Sequence, residues 1–273
     1  MKPELLSKVG RYEFLSEPFH CDFESRLFMG HLGNHLLNAA DFHSNDRGYG
    51  MNELMPRHRT WVLSRLAIEM NEMPKSYDKF FVETWVENAM KYFTARDFKI
   101  CGKVQASESS SDADGDSSEE KVYGYGKSVW AMIDTETRQP VDIFSINDGL
   151  IREYIETEKE CPIAASSRVK MGKEAKLVRS IDTYYNDVDV NGHINSVKYI
   201  EHILDLFDID YFKSHFLQRF EIAYVAESHQ GDRLNFYMEE TNDAEYCIKI
   251  TKTCKNNAEE VEVVRSKAKF VKK

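Results

Sequence analysis

Asp189, Asn191 and His193 alternate along a stretch that becomes, within a few residues, an amphipathic helix. This junction constrains the fold more than any other segment of the chain. On an extended approach the three side chains share one face. From Ile194 onward the apolar residues fall at Val197, Ile200, Ile203, Leu204 and Phe207, which is helical spacing. A helix with one apolar stripe must bury it, so its entry is held against a packed layer. At such an entry, backbone N–H groups and polar side chains can converge on a carbonyl. The segment is therefore a candidate site.

Two other readings compete for the same residues. Asp187, Asp189, Asn191 and Gly192 stand where a calcium loop has its first, third, fifth and sixth residues. The twelfth position of such a loop carries a bidentate Glu, and here it is Lys198, so the ligand set fails. The other reading is a capped helix, in which Asp and Asn satisfy orphan N–H groups and His193 is an ordinary histidine.

Composition narrows the class. The chain has 273 residues, 42% of them hydrophobic and 12% aromatic, enough for one large or two medium globular domains. No apolar run is long enough to span a membrane, and the first residues lack the apolar stretch of a signal peptide. A net charge of −10 argues against nucleic-acid binding, which needs a basic face. The five cysteines (21, 101, 161, 247, 254) are scattered without metal-ligand spacing and fit reduced thiols in a cytosol. No metal or other cofactor is expected.

A faint repeat runs through the chain. Arg65 and Arg219 each open a strand-like run, and Asp78 and Asp232 follow at equal distance before another such run, an offset of 154. Helical candidates lie upstream of each, at 30–43 and 194–207. Strand-like runs are expected at 11–15, 63–70, 80–87, 93–101 and 122–133, then at 218–226, 233–239, 246–254 and 260–270. Helix followed by strands, twice, suggests two copies of one α+β unit. The segment 105–120 is Ser, Asp, Glu, Gly and Ala with little to bury, and is expected to be a mobile hairpin tip. Residues 161–176 are expected to cross between the units.

The run from Asn186 to Ile200 resembles the D-x-N-x-H-[VI]-N-x-x-K-Y-[IL] signature of acyl-acyl-carrier-protein thioesterases. Three further stretches resemble that family in the expected order. They are 61–69 with 82–85, then 128–134 with 138–141, and finally Tyr224-Val-Ala-Glu227. The resemblance implies a tandem hot-dog fold, each half a long central helix wrapped by an antiparallel sheet. The first would span 1–160 and shape the acyl pocket, with Met51, Leu54, Met55 and Trp61 among its lining. The second would span 161–273 and carry the chemistry.

Residue by residue, the resemblance assigns catalytic roles to Asp189, Asn191, His193 and Glu227. His193 would orient water or donate to the carbonyl, Asn191 would hold water or carbonyl, and Asp189 would orient its neighbours. The amides around Gly192 and His193 would serve as oxyanion donors. A Glu closing an apolar strand is partly desolvated, which suits Glu227 to take a proton from water. Plant members carry Cys after this Glu and this chain carries Ser228, which favours direct attack by water over a covalent route. His31, His35 and His43 in the first half lack an equivalent entry motif and are expected at the surface or an interface.

The implied activity is hydrolysis of fatty acyl-acyl carrier protein in a bacterial-type cytoplasm, with acyl-coenzyme A hydrolysis or non-catalytic acyl-thioester sensing as alternatives. The implied partner is acyl carrier protein, and a homodimer is compatible with this reading. Because carrier and enzyme would both be acidic, docking needs a local basic surface, and Arg168, Lys170, Lys173, Lys176 and Arg179 form the densest one near the motif.

Overall fold

The computed structural model describes residues 5–103, 120–254 and 257–273, with the backbone alone at 257 and 258. The acidic segment expected as a hairpin tip lies outside the described residues except for Glu120. In chain order the main elements are β1 (Gly10–Leu15), α1 (Met29–Asp46), α2 (Met51–Leu54), β2 (Arg59–Met70), β3 (Lys79–Ala89), β4 (Phe93–Lys103) and β5 (Glu120–Asp134). There follow β6 (Lys176–Asp182), α3 (Ser196–Leu204), α4 (Ile209–Ser214), β7 (His215–Tyr224), β8 (Arg233–Asn242), β9 (Glu245–Cys254) and β10 (Asn257–Lys272).

The strands form one antiparallel sheet in the order β1-β3-β4-β5-β2-β7-β10-β9-β8-β6. Read from the β2–β7 seam outward, the two sides have the same connectivity. The seam fixes the symmetry axis. Ala67 of β2 lies opposite Glu221 of β7, and these positions are separated by the same 154 that relates the repeats. A residue that pairs with its own repeat equivalent sits on a local two-fold. The turn before β3 recurs before β8: the amides of Lys75 and His229 donate to Asp78 and Asp232 at 2.8 and 2.9 Å.

One helix packs on each side. α1 buries Leu32, Leu36, Ala39, Ala40 and His43, the inward stripe of an 18-residue helix, against the core that includes Phe80, Val82, Phe98 and Ile100. α3 buries Val197, Tyr199, Ile200 and Ile203. The helices touch through glycine: a Cβ at Gly30 would stand 2.7 Å from Glu201 Cγ, so any side chain there would have to push Glu201 aside. This is the tandem hot dog, with one departure from expectation. The second central helix is nine residues, not a long one, because the chain turns at Asp205 and starts α4 four residues later. A second, smaller core holds Tyr49, Leu54, Val86, Met132, Ile143, Ile146, Ile151 and Tyr154 at the far edge of the first half. Among the described residues no helix is long and apolar enough to cross a membrane.

Candidate active site

Asp189 organises the turn that enters α3. Its Oδ1 accepts the amides of Asn191 and His193 at 2.8 and 3.3 Å, its own amide donates to the His193 carbonyl at 2.8 Å, and the Gly192 amide donates to the Asp189 carbonyl at 3.0 Å. Gly192 has φ +80°, the left-handed conformation this closure requires. Asp189 therefore orients His193 through the backbone rather than through the imidazole. The cap of α3 is a different residue, Asn195, whose Oδ1 accepts the Val197 amide at 3.0 Å.

Two contacts tie this turn and the start of α3 to β7 and the segment after it, and a third, from β9, holds that segment. The Ile194 amide donates to the Ser228 carbonyl at 2.8 Å, the Tyr224 hydroxyl donates to the Ser196 carbonyl at 2.8 Å, and Lys252 Nζ donates to the Glu227 carbonyl at 2.6 Å. The result sets His193 Nε2 3.4 Å from Glu227 Oε2. His229 packs edge-on against His193, ring centroids 5.0 Å apart. The other carboxylate oxygen, Oε1, is in direct contact with Arg138 Nη2. Arg138 comes from the first half. It sits at φ +60° just past β5, in a turn held by Asp134 Oδ1, which accepts the Glu136 and Thr137 amides at 3.0 and 2.8 Å.

These side chains open onto a cavity of about 1120 Å³. Asp189, Asn191, His193, Glu227 and Arg138 line one end. From there the lining runs along α1 from Asn34 to Ser44 and over β2, β5 and β4. The four residues expected from sequence are thus brought to one cavity mouth.

Several expectations change. Glu227 does not lie in an apolar strand: β7 ends at Tyr224, and Glu227 stands in the loop beyond, its side chain about a third exposed between Arg138 and His193. The amides of Gly192 and His193 are spent inside the Asp189 turn, so an oxyanion must find other donors, of which the Asn191 side chain and the His193 ring stand nearest. Leu54 is buried in the smaller core and Met55 is exposed, so neither lines the cavity, whereas Met51 and Trp61 do. Ser228 is buried beside the Tyr199 phenol and is not part of the cavity lining. His43 is not a surface residue: it is fully buried, bonded to the Lys8 carbonyl at 2.9 Å and the Tyr49 hydroxyl at 3.1 Å. Burial, with Arg96 and Arg47 nearby, pushes its pKa down to about 2.

The calcium geometry is also unmet. Asp187 accepts the Tyr184 amide and stands 3.4 Å from His202, Asp189 serves its own turn, and Lys198 pairs with Glu201. The sequence does not single out Arg138 or His229, which stand against Glu227 and His193. Arg138 lay in a stretch that resembled the family, but nothing in its neighbours told which way a residue past a strand end would turn.

Comparison with known proteins places the chain in a family. Residues 9–154 match the N-terminal domain of acyl-ACP thioesterases and residues 171–271 match the C-terminal domain. The chain belongs to the acyl-ACP thioesterase family. It is 25% identical over 207 residues to a chloroplastic palmitoyl-acyl carrier protein thioesterase of Gossypium hirsutum, covering 72% of this chain and 46% of that one. A chloroplastic palmitoyl-acyl carrier protein thioesterase of Cuphea hookeriana is 30% identical over 187 residues, 65% of this chain and 40% of the other. The chain thus spans about half the length of these curated relatives. Among solved structures, an acyl-ACP thioesterase of Bacteroides thetaiotaomicron is 46% identical and superposes with a TM-score of 0.82, covering 97% of this chain and 98% of that one. The 12:0-ACP thioesterase of Umbellularia californica, at 19% identity and TM-score 0.79 over 99% and 100% of the two chains, shares the fold.

Proposed function

We propose that this chain hydrolyses the thioester of fatty acyl-acyl carrier protein, releasing the free fatty acid and ending chain elongation. The observation that carries the reading is the Glu227–His193 pair at the mouth of a cavity long enough for an acyl chain. In this reading the second half, 161–273, carries the chemistry and the first, 1–160, holds the acyl group. Glu227 takes a proton from water as the water oxygen attacks the thioester carbonyl. His193 and the Asn191 side chain donate to the oxyanion, which would otherwise lack partners in a partly closed site. The carbon–sulfur bond then breaks, and the proton on Glu227 is delivered, directly or through His193, to the departing thiolate. Asp189 keeps His193 and Asn191 in place through their amides.

Arg138 fits a positioning role. By engaging Oε1 it fixes the rotamer of Glu227, so that Oε2 faces His193. A nucleophilic Ser228 is disfavoured, since a buried hydroxyl outside the cavity has neither substrate nor base beside it.

The carrier would dock on the edge strand β6 and the segment before it, where Arg168, Lys170, Lys173, Lys176 and Arg179 are exposed beside half-exposed Leu177 and Val178. A basic and apolar edge suits an acidic protein partner better than a small thioester. The test is turnover of one acyl group on acyl carrier protein and on coenzyme A, with product fatty acid measured directly. Preference for coenzyme A would change the carrier, and no hydrolysis of either would leave a binding protein. A cytoplasmic, homodimeric enzyme completes the reading. Fractionation of producing cells and sedimentation of the pure protein check those two points.

A further inference from the structure

The far end of the cavity is closed by a buried cation. Lining residues come from β2, β5 and β4 and none from β3 or β1, so the space stops at β4. There Thr94 and Arg96 face it, with Ser44, Tyr49 and Ile151 around them. Arg96 is 4% exposed. Its guanidinium donates to Thr84 Oγ1 of β3 at 3.1 Å and to Ser44 Oγ at 3.0 Å, and Ser44 in turn donates to the Ala40 carbonyl. Among the described residues no carboxylate lies within ion-pair distance of it. Half-buried Asp41 feels its charge, yet burial still raises the pKa of that carboxyl. β4 is three strand spacings from β7, roughly 14 Å across the sheet from the segment that carries Glu227.

From this we infer that Arg96 is the length stop of the acyl pocket and that the site selects acyl chains of medium length, whose methyl end halts before the guanidinium. The inference rests on the thioesterase reading above. An apolar pocket rewards each added methylene about fourfold in binding, because each leaves water for hydrocarbon. A methylene pressed against a buried guanidinium meets the opposite balance. It gains little from so polar a wall, and it displaces whatever water still solvates a charge that no carboxylate neutralises. Thr84 holds the arginine from behind, so the side chain cannot swing aside to lengthen the pocket. The same wall that packs the smaller core therefore also sets substrate length. Tyr49 and Ile151 belong to both.

The experiment measures kcat/KM for saturated acyl-acyl carrier protein substrates of increasing length, with wild type, Arg96→Lys and Arg96→Met. The double variant Arg96→Met/Thr84→Val is included because it removes both ends of the buried Arg96–Thr84 hydrogen bond together. Wild type and Arg96→Lys should peak at medium length and fall about tenfold or more within a few carbons beyond. In Arg96→Met, or the double variant if the single one folds poorly, the ratio of long-chain to medium-chain turnover should rise about tenfold. Coincident length profiles in all four proteins would overturn the stop while leaving the thioesterase intact. Faster turnover of an ω-hydroxyacyl chain than of its saturated parent would also overturn it, since Arg96 would then recognise the chain end rather than exclude it. Absence of hydrolysis at every length would instead sink the thioesterase reading itself.

Discussion

The two halves carry the same turn, and only the second one lines the cavity. In the second half Asp189 gathers the Asn191 and His193 amides; in the first, Asp22 Oδ1 gathers the Glu24 and Arg26 amides, both at 2.9 Å. Ser25 takes the left-handed conformation at the place of Gly192. The Leu27 amide reaches the Pro74 carbonyl as that of Ile194 reaches Ser228. What differs is the side chains. Arg26 stands for His193, Glu24 for Asn191, and buried Met73 for Glu227. Arg26 spends its fork on Asp22 and Glu24, at 2.8 and 2.6 Å, and Glu24 also takes Lys273 at 2.5 Å. Arginine keeps its proton and methionine accepts none, so the same backbone yields a salt-bridge knot in place of the His193–Glu227 pair.

The space behind the turns differs in the opposite sense. From the second-half turn that lines its mouth, the cavity runs into the first half along α1. In the second half the layer beyond α3 is filled by Phe207, Tyr211, Tyr246 and Phe270, whose rings contact one another. Around those rings the second half keeps only a smaller pocket of about 410 Å³, lined by Phe207, Tyr211 and Tyr246 among others. Arg138, crossing from the first half to Glu227, joins the two.

The sharpest way to break this comparison is to remove the reacting groups from each turn. His193→Ala or Glu227→Gln should lower kcat by about a hundredfold or more, the usual contribution of a general acid or base. Arg26→Ala should change kcat less than threefold, after correction for folded fraction by circular dichroism. Equal losses from the two turns would mean that the first turn is also a site.

The next largest effect concerns the join. Arg138→Ala should cost about ten- to a hundredfold in kcat with KM little changed, because a Glu227 free to rotate no longer holds Oε2 at His193. Arg138→Lys should recover part of the loss, which general damage to the fold would not allow. A KM effect with unchanged kcat would move Arg138 from positioning the base to binding substrate.

A smaller change is expected outside both turns. Reversing Lys170, Lys173 and Lys176 to Glu should raise KM for the protein carrier by about tenfold at low salt and weaken its salt dependence. Hydrolysis of a short pantetheine thioester serves as the control and should hold. Unchanged kinetics on the carrier would place docking elsewhere.

How far the sequence reaches is clearest at these same residues. The second turn was legible because Asp189, Asn191 and His193 are polar at alternate positions before an apolar helix. The first turn went unseen although its backbone is the same. Its positions are offset by 167 rather than 154, and Glu24 and Arg26 look like ordinary surface charges. Most strands were legible from alternation. β6 was not, because an edge strand with Lys176, Leu177, Val178 and Arg179 all exposed has no buried face to write a pattern. The apolar sequence neighbours of Glu227 mark it as the end of a strand. The surroundings that matter, Arg138 and His193, are distant in the chain.

The smallest expected effect tests whether the buried histidine of the first half is structural, and its sign can be worked out. His43 has a folded pKa of about 2, lowered first by burial, against an unfolded value near 6.5. Below pH 6.5 the unfolded chain takes up a proton that the folded chain refuses, so stability falls as pH falls, by at most about 1.4 kcal/mol per pH unit. Asp97 works the other way. Burial, then Glu87, raises its pKa to about 6, with Lys127 opposing. From pH 6 down to about 4 the folded state holds a proton that the unfolded state has lost, so stability rises as pH falls. Between pH 4 and 6 the two slopes nearly cancel. Urea unfolding of His43→Gln should therefore show stability increasing on acidification through that window, and Asp97→Asn should show it decreasing, each relative to wild type. Turnover at pH 7.5 should move less than about twofold in the folded fraction of His43→Gln. Parallel pH curves for wild type and both variants would mean that neither group is buried as the structure places it.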